Sequence, residues 1–434
     1  MAAPMEVMLS TDASGMLWNV CIWDFHSGTA LQTYKGGSSG PRGLCCLSGQ
    51  FLMSAAIGKP IIYIWALQKK EQQQQRIVCP GVVSCLAASP DNTLCAAGIA
   101  EKIHIWQTCS GYQLSVLSHH YQTVTCLCFT DDGSHLVSGG EDNLVMVWYT
   151  ASILQPDSKM KSCEPLFVWS KHALPITDVH CGIGGARSRV VSASHDQTCK
   201  LWDLATGQLL CNFVFDSPVC SVAMDMAEYH LFAGCSDGNI YQVNLFASPV
   251  QMERHISKNK ESEEMESSVF RGHSKPVTCL SVSMDGTVLA SGSQDNTACI
   301  WHVNSKQKIR TLSHKGAVTN VVFTPTPANL LDSRSKPTFP LQSFKRHLLS
   351  AESDGGRNMG GEIAVRVPDQ QESTVEDEDR TRERVLIREA VKQQQRSSTN
   401  KPNEPSRQQL EQELERLTQT NRLLFKAAAD LASR

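Results

Sequence analysis

The stretch Phe270–Val303, FRGHSKPVTCLSVSMDGTVLASGSQDNTACIWHV, decides how the chain is read. It holds three runs of β-forming residues, Val277 to Val282, Val288 to Ser293 and Ala298 to Val303, parted by Met284-Asp285-Gly286 and Gln294-Asp295-Asn296. Alternating runs split by turns of this kind predict three antiparallel strands. Gly272-His273 precedes the first run, and Trp301 stands near the end of the third. So small a sheet cannot bury an apolar face alone, and it is stable only as one of several stacked copies.

Copies are present. Aligned on the last run, the chain gives VCIW to Trp23, IYIW to Trp65, IHIW to Trp106, VMVW to Trp148, CKLW to Trp202, IYQV to Val243, CIW to Trp301 and IAVR to Arg366. Successive intervals are 42, 41, 42, 54, 41, 58 and 65 residues, and the longer ones contain insertions. With its Gly272-His273 start and its Val20-Cys-Ile-Trp-Asp24 and Cys199-Lys-Leu-Trp-Asp203 ends, the unit resembles the WD40 repeat, over roughly residues 5 to 368. The resemblance implies an all-β, seven-bladed WD40 β-propeller, with eight blades as the alternative. Seven inner strands begin near Leu44, Cys85, Val124, Ile176, Val219, Val277 and Val318. The N-terminal unit lacks an inner strand, so strands from both chain ends must mix to close the ring without an exposed edge.

Composition bounds the function classes. The 434 residues carry a net charge of -3, which argues against nucleic-acid binding by bulk attraction. The start, Met1-Ala-Ala-Pro-Met-Glu, has neither a basic nor an apolar leader region, so the 17 cysteines are expected to be reduced. No apolar run approaches the roughly 20 residues of a membrane helix, and no membrane contact is expected. No C-x-x-C pair and no His pair at ligand spacing is present, so neither metal nor other cofactor is expected. Cys85, Cys126, Cys220 and Cys279 fall in V-x-C-L-type inner strands, where a free thiol serves as a small apolar side chain.

Three units repeat a four-residue set: His120, Ser138, Asp142, Trp148; His172, Ser192, Asp196, Trp202; and His273, Ser291, Asp295, Trp301. The types suit a relay in which Asp accepts from His, His meets the Ser hydroxyl, and Ser receives the indole N–H. A nucleophile occurs once in an enzyme, whereas this set occurs three times and lacks a G-x-S-x-G elbow; the structural reading follows, and no catalytic residue is assigned. In other units Ala96 and Ala100 replace the Ser and Asp before Trp106, Val243 replaces a Trp, and His314, Ser350 and Asp354 form a partial set. Packing alone is expected to hold the units that lack parts of the relay. Long insertions, Lys69 to Arg76, Thr150 to Cys163 and Met252 to Ser268, fall between third and fourth strands, and Pro325 to His347 between a first and a second. All four therefore project from one face, a candidate for partner contacts. Arg334, Lys336, Lys345 and Arg346 give that face a weak claim on phosphate.

The sequence divides into a propeller at 1–368, a charged linker with a short helix at 369–405, and a final helix at 406–434. In the last part Leu410, Leu414, Leu417, Asn421, Leu424, Ala428 and Leu431 follow an unbroken 4-3 spacing. With Leu414 at a, Asn421 also falls at a, where Asn fixes register and favours two strands. Self-association is the first expectation; docking on a partner or back on the propeller stays open.

A divergent propeller, a charged linker and LEQELERLTQTNRLLF together resemble the WD-repeat subunits of the rixosome, a nuclear complex for large-ribosomal-subunit maturation. The resemblance implies a non-catalytic scaffold in the nucleus, both nucleolus and nucleoplasm, with cytoplasm left open. Its implied partners are a proline-, glutamate- and leucine-rich scaffold protein, the testis-expressed ten subunit, the Las1-like endonuclease, a SUMO protease, the midasin ATPase and the large-subunit precursor, with pre-rRNA spacer processing as the task. A substrate receptor or adaptor of a ubiquitin ligase would share the same architecture and is the alternative.

Overall fold

The computed structural model describes residues 5–67, 74–154, 163–246, 252–256, 269–331 and 341–345. The chain divides into two units, residues 1–368 and 369–434, and every described residue lies in the first. The expected second-unit features, including the 406–434 helix, lie outside the described residues, as do Ser350, Asp354 and the IAVR run.

The described strands form seven sheets. Blade 2 is Ser39–Leu47, Phe51–Ala56, Ile61–Ala66 and Gln74–Val78; blade 3 is Val83–Ala88, Leu94–Ile99, Lys102–Gln107 and Gln113–Leu117. Blade 4 is Val124–Phe129, His135–Gly140, Val145–Tyr149 and Phe167–Trp169; blade 5 begins Ile176–Cys181, Arg189–Ser194, Thr198–Asp203 and Leu209–Phe215. Blade 6 is Val219–Met224, His230–Cys235, Ile240–Asn244 and Val269–Phe270; blade 7 is Val277–Val282, Val288–Ser293, Thr297–His302 and Lys308–Ser313. Inner strands of successive blades touch all the way round. The ring is therefore seven-bladed, with the seven inner strands where the sequence places them.

Blade 1 joins the chain ends. Its inner strand is Val318–Pro325, which pairs antiparallel with Glu6–Asp12 from Glu6↔Pro325 to Thr11↔Asn320, followed by Val20–Asp24 and Thr29–Tyr34. The segment after Pro325 is thus not a loop between first and second strands, as the spacing suggested. The second strand of that blade comes from the start of the chain, and residues 341–345 run against blade 3 instead.

Second and third strands are buried on both faces, as in Leu94–Ile99 and Val288–Ser293, because each blade packs between two neighbours. Apolar clusters fill the junctions; one joins Val191, Leu201 and Phe213 of blade 5 to Val222, Leu231 and Tyr241 of blade 6. Such burial stabilises by about 25 cal/mol per Å² and supplies most of the gain on folding.

Near the axis, hydroxyls clasp blades 3, 4, 5 and 7 each to the next. Ser84 donates to the Val124 carbonyl (2.5 Å), Thr125 to Ile176 (2.7 Å), Thr177 to Val219 (2.8 Å) and Thr278 to Val318 (2.5 Å). The following residue in blades 3, 4 and 7 is Cys85, Cys126 or Cys279, whose sulfur lies where a Cβ on Gly98, Gly139 or Gly292 would come within 2.6, 2.7 and 2.6 Å. A thiol fits there only because its cross-strand partner is glycine. Burial pushes the Cys85 and Cys279 thiols up to about 11, so they stay neutral near pH 7. Cys220 does not share this position: Ser221 pairs with Gly234, and Cys220 stands one residue earlier.

Blades 2 and 5 depart most from the ring. Blade 5 carries Asp178 at the cysteine position, and the inner strand of blade 2 bulges between Ser39 and Leu44. Arg42, in the bulge at φ 51°, donates from Nε to Asp178 Oδ1 (2.7 Å) and from Nη2 to the Cys220 carbonyl (2.7 Å). Asp178 also receives the Val179 (3.0 Å) and Val222 (2.9 Å) amides. Blade 2 thereby bonds to blades 5 and 6 across the axis. With the two side chains only 23% and 16% exposed, breaking the pair strands a poorly hydrated charge. Arg42→Met is expected to lower unfolding free energy by about 2–4 kcal/mol, read from the denaturant midpoint, with partial recovery in Arg42→Met/Asp178→Leu.

Candidate functional site

The four-residue sets lie together inside blades 4, 5 and 7. Trp148, Trp202 and Trp301 donate their indole N–H to Ser138, Ser192 and Ser291 at 3.0, 2.9 and 2.8 Å. Each Ser Oγ is 2.8 Å from Nε2 of His120, His172 or His273, and each Nδ1 is 2.9 Å from Asp142, Asp196 or Asp295. An ionised carboxylate only accepts, so Nδ1 carries the proton, and neutral Nε2 accepts from the Ser hydroxyl. Each Asp also receives the amide after its His, from Tyr121, Ala173 and Ser274. The serine side chains have no exposed surface, and their oxygens are committed to Trp and His. The chemistry available to these sets is tethering the second and third strands, and the turn between them, to the loop before the first strand.

Blade 1 builds its relay from both ends of the chain. Trp23 donates to Ser10 (2.7 Å), Ser10 lies 2.8 Å from His314 Nε2, and His314 Nδ1 lies 3.3 Å from the Leu312 carbonyl. His314 precedes Val318 by the same four residues as the other histidines, but its serine is Ser10. The 13-residue Ser10–Trp23 spacing, stretched by the loop at 13–19, hides it from a search at ten.

Packing alone does not hold the incomplete blades 2 and 3. The Trp65 indole donates to the Lys35 carbonyl at 3.2 Å, and Trp106 to the Lys345 carbonyl at 2.8 Å. Phe344 stacks on Trp106 with centroids 5.3 Å apart, and the Gln342 and Lys345 amides donate to Thr108 and Gly111. A buried indole N–H needs an acceptor, and a returning backbone supplies one where Ala96 cannot. Lys345, read as a phosphate contact, has its Nζ 3.3 Å above the Tyr112 ring. Arg334, Lys336 and Arg346 lie outside the described residues.

Three insertions do leave between third and fourth strands, on the face reached by the end of Val318–Pro325. Arg76, expected at the end of the first insertion, belongs to strand Gln74–Val78 and lies over Tyr63. The second insertion opens with a helical turn, Thr150–Ile153, whose Ile153 joins the blade 3–4 core. The third contributes Glu253–Ile256, which pairs parallel with Leu209–Phe215 and gives blade 5 a fifth strand. Among the described residues no group of His, Cys, Asp or Glu could hold a metal ion, and no helix is long and apolar enough to cross a membrane.

Four-stranded blades with His–Ser–Trp tethers define a WD40-repeat propeller. Residues 111–149 and 265–302 match the model of the WD domain, G-beta repeat, and residues 176–244 that of the TEP-1 C-terminal beta-propeller. WD repeat-containing protein 18 of Homo sapiens is 49% identical over 361 residues, covering 83% of this chain and 82% of that protein. The Danio rerio protein of the same name is 47% identical over 83% of each. The chain belongs to the WD repeat-containing protein 18 family. Pre-rRNA-processing protein pro-1 of Caenorhabditis elegans is a more distant relative, 26% identical over 74% of this chain and 61% of its own length.

Burial raises the Asp142, Asp196 and Asp295 carboxyls, but hydrogen bonds from His120, from His172 and Thr198, and from Thr297 and His273 outweigh it and hold all three below the usual carboxylate value. Burial lowers the His172, His273 and His314 imidazoles below theirs, against the pull of Asp196 on His172, Asp295 on His273 and the Leu312 carbonyl on His314. A histidine lowered on folding costs stability once pH falls through its unfolded value near 6.5; a lowered carboxyl costs stability as pH falls below about 4. The melting temperature is therefore expected to level off above about pH 7.5 and to fall in two stages on acidification, as calorimetry against pH would show. Trp301→Ala should cost about 3–5 kcal/mol in chemical denaturation; an unchanged midpoint would contradict the buried tether.

Proposed function

We propose that this protein is a non-catalytic scaffold in ribosome biogenesis, serving large-subunit maturation and pre-rRNA spacer processing within a nuclear complex. The observation that carries the reading is the identity of nearly half the residues over four-fifths of both chains to WD repeat-containing protein 18. The more distant relative named for pre-rRNA processing supports the same task. The propeller adds a physical reason: its three complete Ser–His–Asp sets are spent on holding strands, leaving loops and insertions to meet other proteins.

The scaffold's partners are proposed to be the proline-, glutamate- and leucine-rich protein, the testis-expressed ten subunit, the Las1-like endonuclease, the SUMO protease and the midasin ATPase. The expected locations are the nucleolus and nucleoplasm. The heptad seam from Leu410 to Leu431 supports self-association of two copies.

Two measurements test the reading. Purification of the tagged full chain should recover large-subunit precursors with uncut spacer; recovery of a ubiquitin-ligase adaptor in their place would overturn it. Replacing Leu414, Leu417 and Leu424 with Asp should halve the mass seen by light scattering without lowering the melting temperature. An unchanged mass would remove the self-association.

A further inference from the structure

We propose that the insertion-bearing face at the junction of blades 5 and 6 docks an amphipathic helix of a partner protein, apolar on one side and bearing lysine or arginine on the other. The scaffold reading assigns no such surface, and this proposal stands whichever complex the protein serves. It starts from a turn that departs from the repeat. Between first and second strands, blades 3, 4 and 7 have Asp91-Asn92-Thr93, Asp132-Gly133-Ser134 and Asp285-Gly286-Thr287, with Asn92, Gly133 and Gly286 at φ 60°, 70° and 69°. Blade 6 has Ala227-Glu228-Tyr229, preceded by Met226, and Glu228 holds the left-handed position at φ 54°. A bulky residue is strained where Asn or Gly is at ease, and each replaced position presents a large side chain.

Two neighbouring departures meet this turn. The third-to-fourth strand segment of blade 6 brings Phe246 to 5.1 Å from Tyr229, centroid to centroid. The longer blade 5 turn carries Ile183 beside Gly182, where a Cβ would fall 2.0 Å from Glu228 Oε1. Ile183, Met226, Tyr229 and Phe246 are 42%, 48%, 55% and 52% exposed, a mixed aromatic and Met surface that adapts to varied apolar shapes.

The edges beside the patch favour a helix over an added strand. The outermost strands, Glu253–Ile256 in blade 5 and Val269–Phe270 in blade 6, are only four and two residues long. Charge selects the helix. Asp131, Asp132, Asp225 and Glu228 flank the patch, against Arg187, Arg189 and Arg254, the last bonded to the Asn244 carbonyl and stacked on Phe213. Asp131 is anchored to the blade 5 turn through the Gly184 and Gly185 amides. Arg189 is already taken up, stacked 5.1 Å from Phe246 and 3.7 Å from Glu228 Oε2, while Glu228 Oε1 is buried against Gly182. Asp131 and Asp132 are exposed, and a cationic side chain arriving with an apolar helix face would meet their carboxylates at the rim.

The test uses the full chain and three fluorescent 18-residue helical peptides, Leu/Lys, Leu/Glu and Ser/Lys on their two faces, followed by anisotropy. Only Leu/Lys should bind with saturation. Tyr229→Ser/Phe246→Ser, which keeps every acidic group, should weaken it at least about tenfold. Glu228→Gly should weaken it several-fold while raising the melting temperature, because glycine relaxes the turn. Equal binding of Leu/Glu and Leu/Lys would overturn the cationic occupant, and unchanged affinity in the double variant would overturn the site. If the double variant unfolds, Glu228→Gly decides, and undiminished Leu/Lys affinity there overturns the proposal.

Discussion

The pairing of Val318–Pro325 with Glu6–Asp12 is the constraint on which the rest of the ring depends. A propeller blade buries both faces only against neighbours, so one open junction would expose apolar surface on two blades at once. The closure is secured twice, by the strand ladder and by the Trp23–Ser10–His314 tether, both spanning some three hundred residues of sequence. The Arg42–Asp178 bond adds a different restraint, fixing blades across the axis where the clasps join only adjacent ones. Clasp and cross-brace together set the width of the ring.

Period, turns and strand alternation made the seven inner strands and three complete relays legible in sequence, because those features depend on residues close together in the chain. What stayed hidden depended on long-range geometry. Arg42 carries no local mark that it will cross to Asp178, and a carbonyl at Lys345 serving Trp106 leaves no trace in residue type, since every residue has one. Cys220 misled for the opposite reason: it fits a V-x-C-like pattern one residue out of register, and a one-residue shift moves a side chain to the other face of its strand. The fifth strand of blade 5 was also invisible, lying within a charged insertion.

The two faces of the propeller divide the labour. Relay histidines and aspartates occupy the loops of one face, where a change in sequence risks unpairing a buried group. The described ends of the insertions, residues 341–345 and the altered blade 6 turn occupy the other. The blade that lost its Trp, with Val243 in its place, also carries Glu228 where blades 3, 4 and 7 have Asn or Gly.

The chimeric first blade also imposes an order of events at birth. Glu6–Asp12 leaves the ribosome more than three hundred residues before its partner strand does. At about 5–20 residues per second that wait is roughly 15–60 s. Throughout it, an apolar strand has Val20–Asp24 on one side and an unpaired edge on the other. The interval is long enough for a chaperone to engage the nascent chain, and the fold postpones its own completion until about three-quarters of the chain has been made.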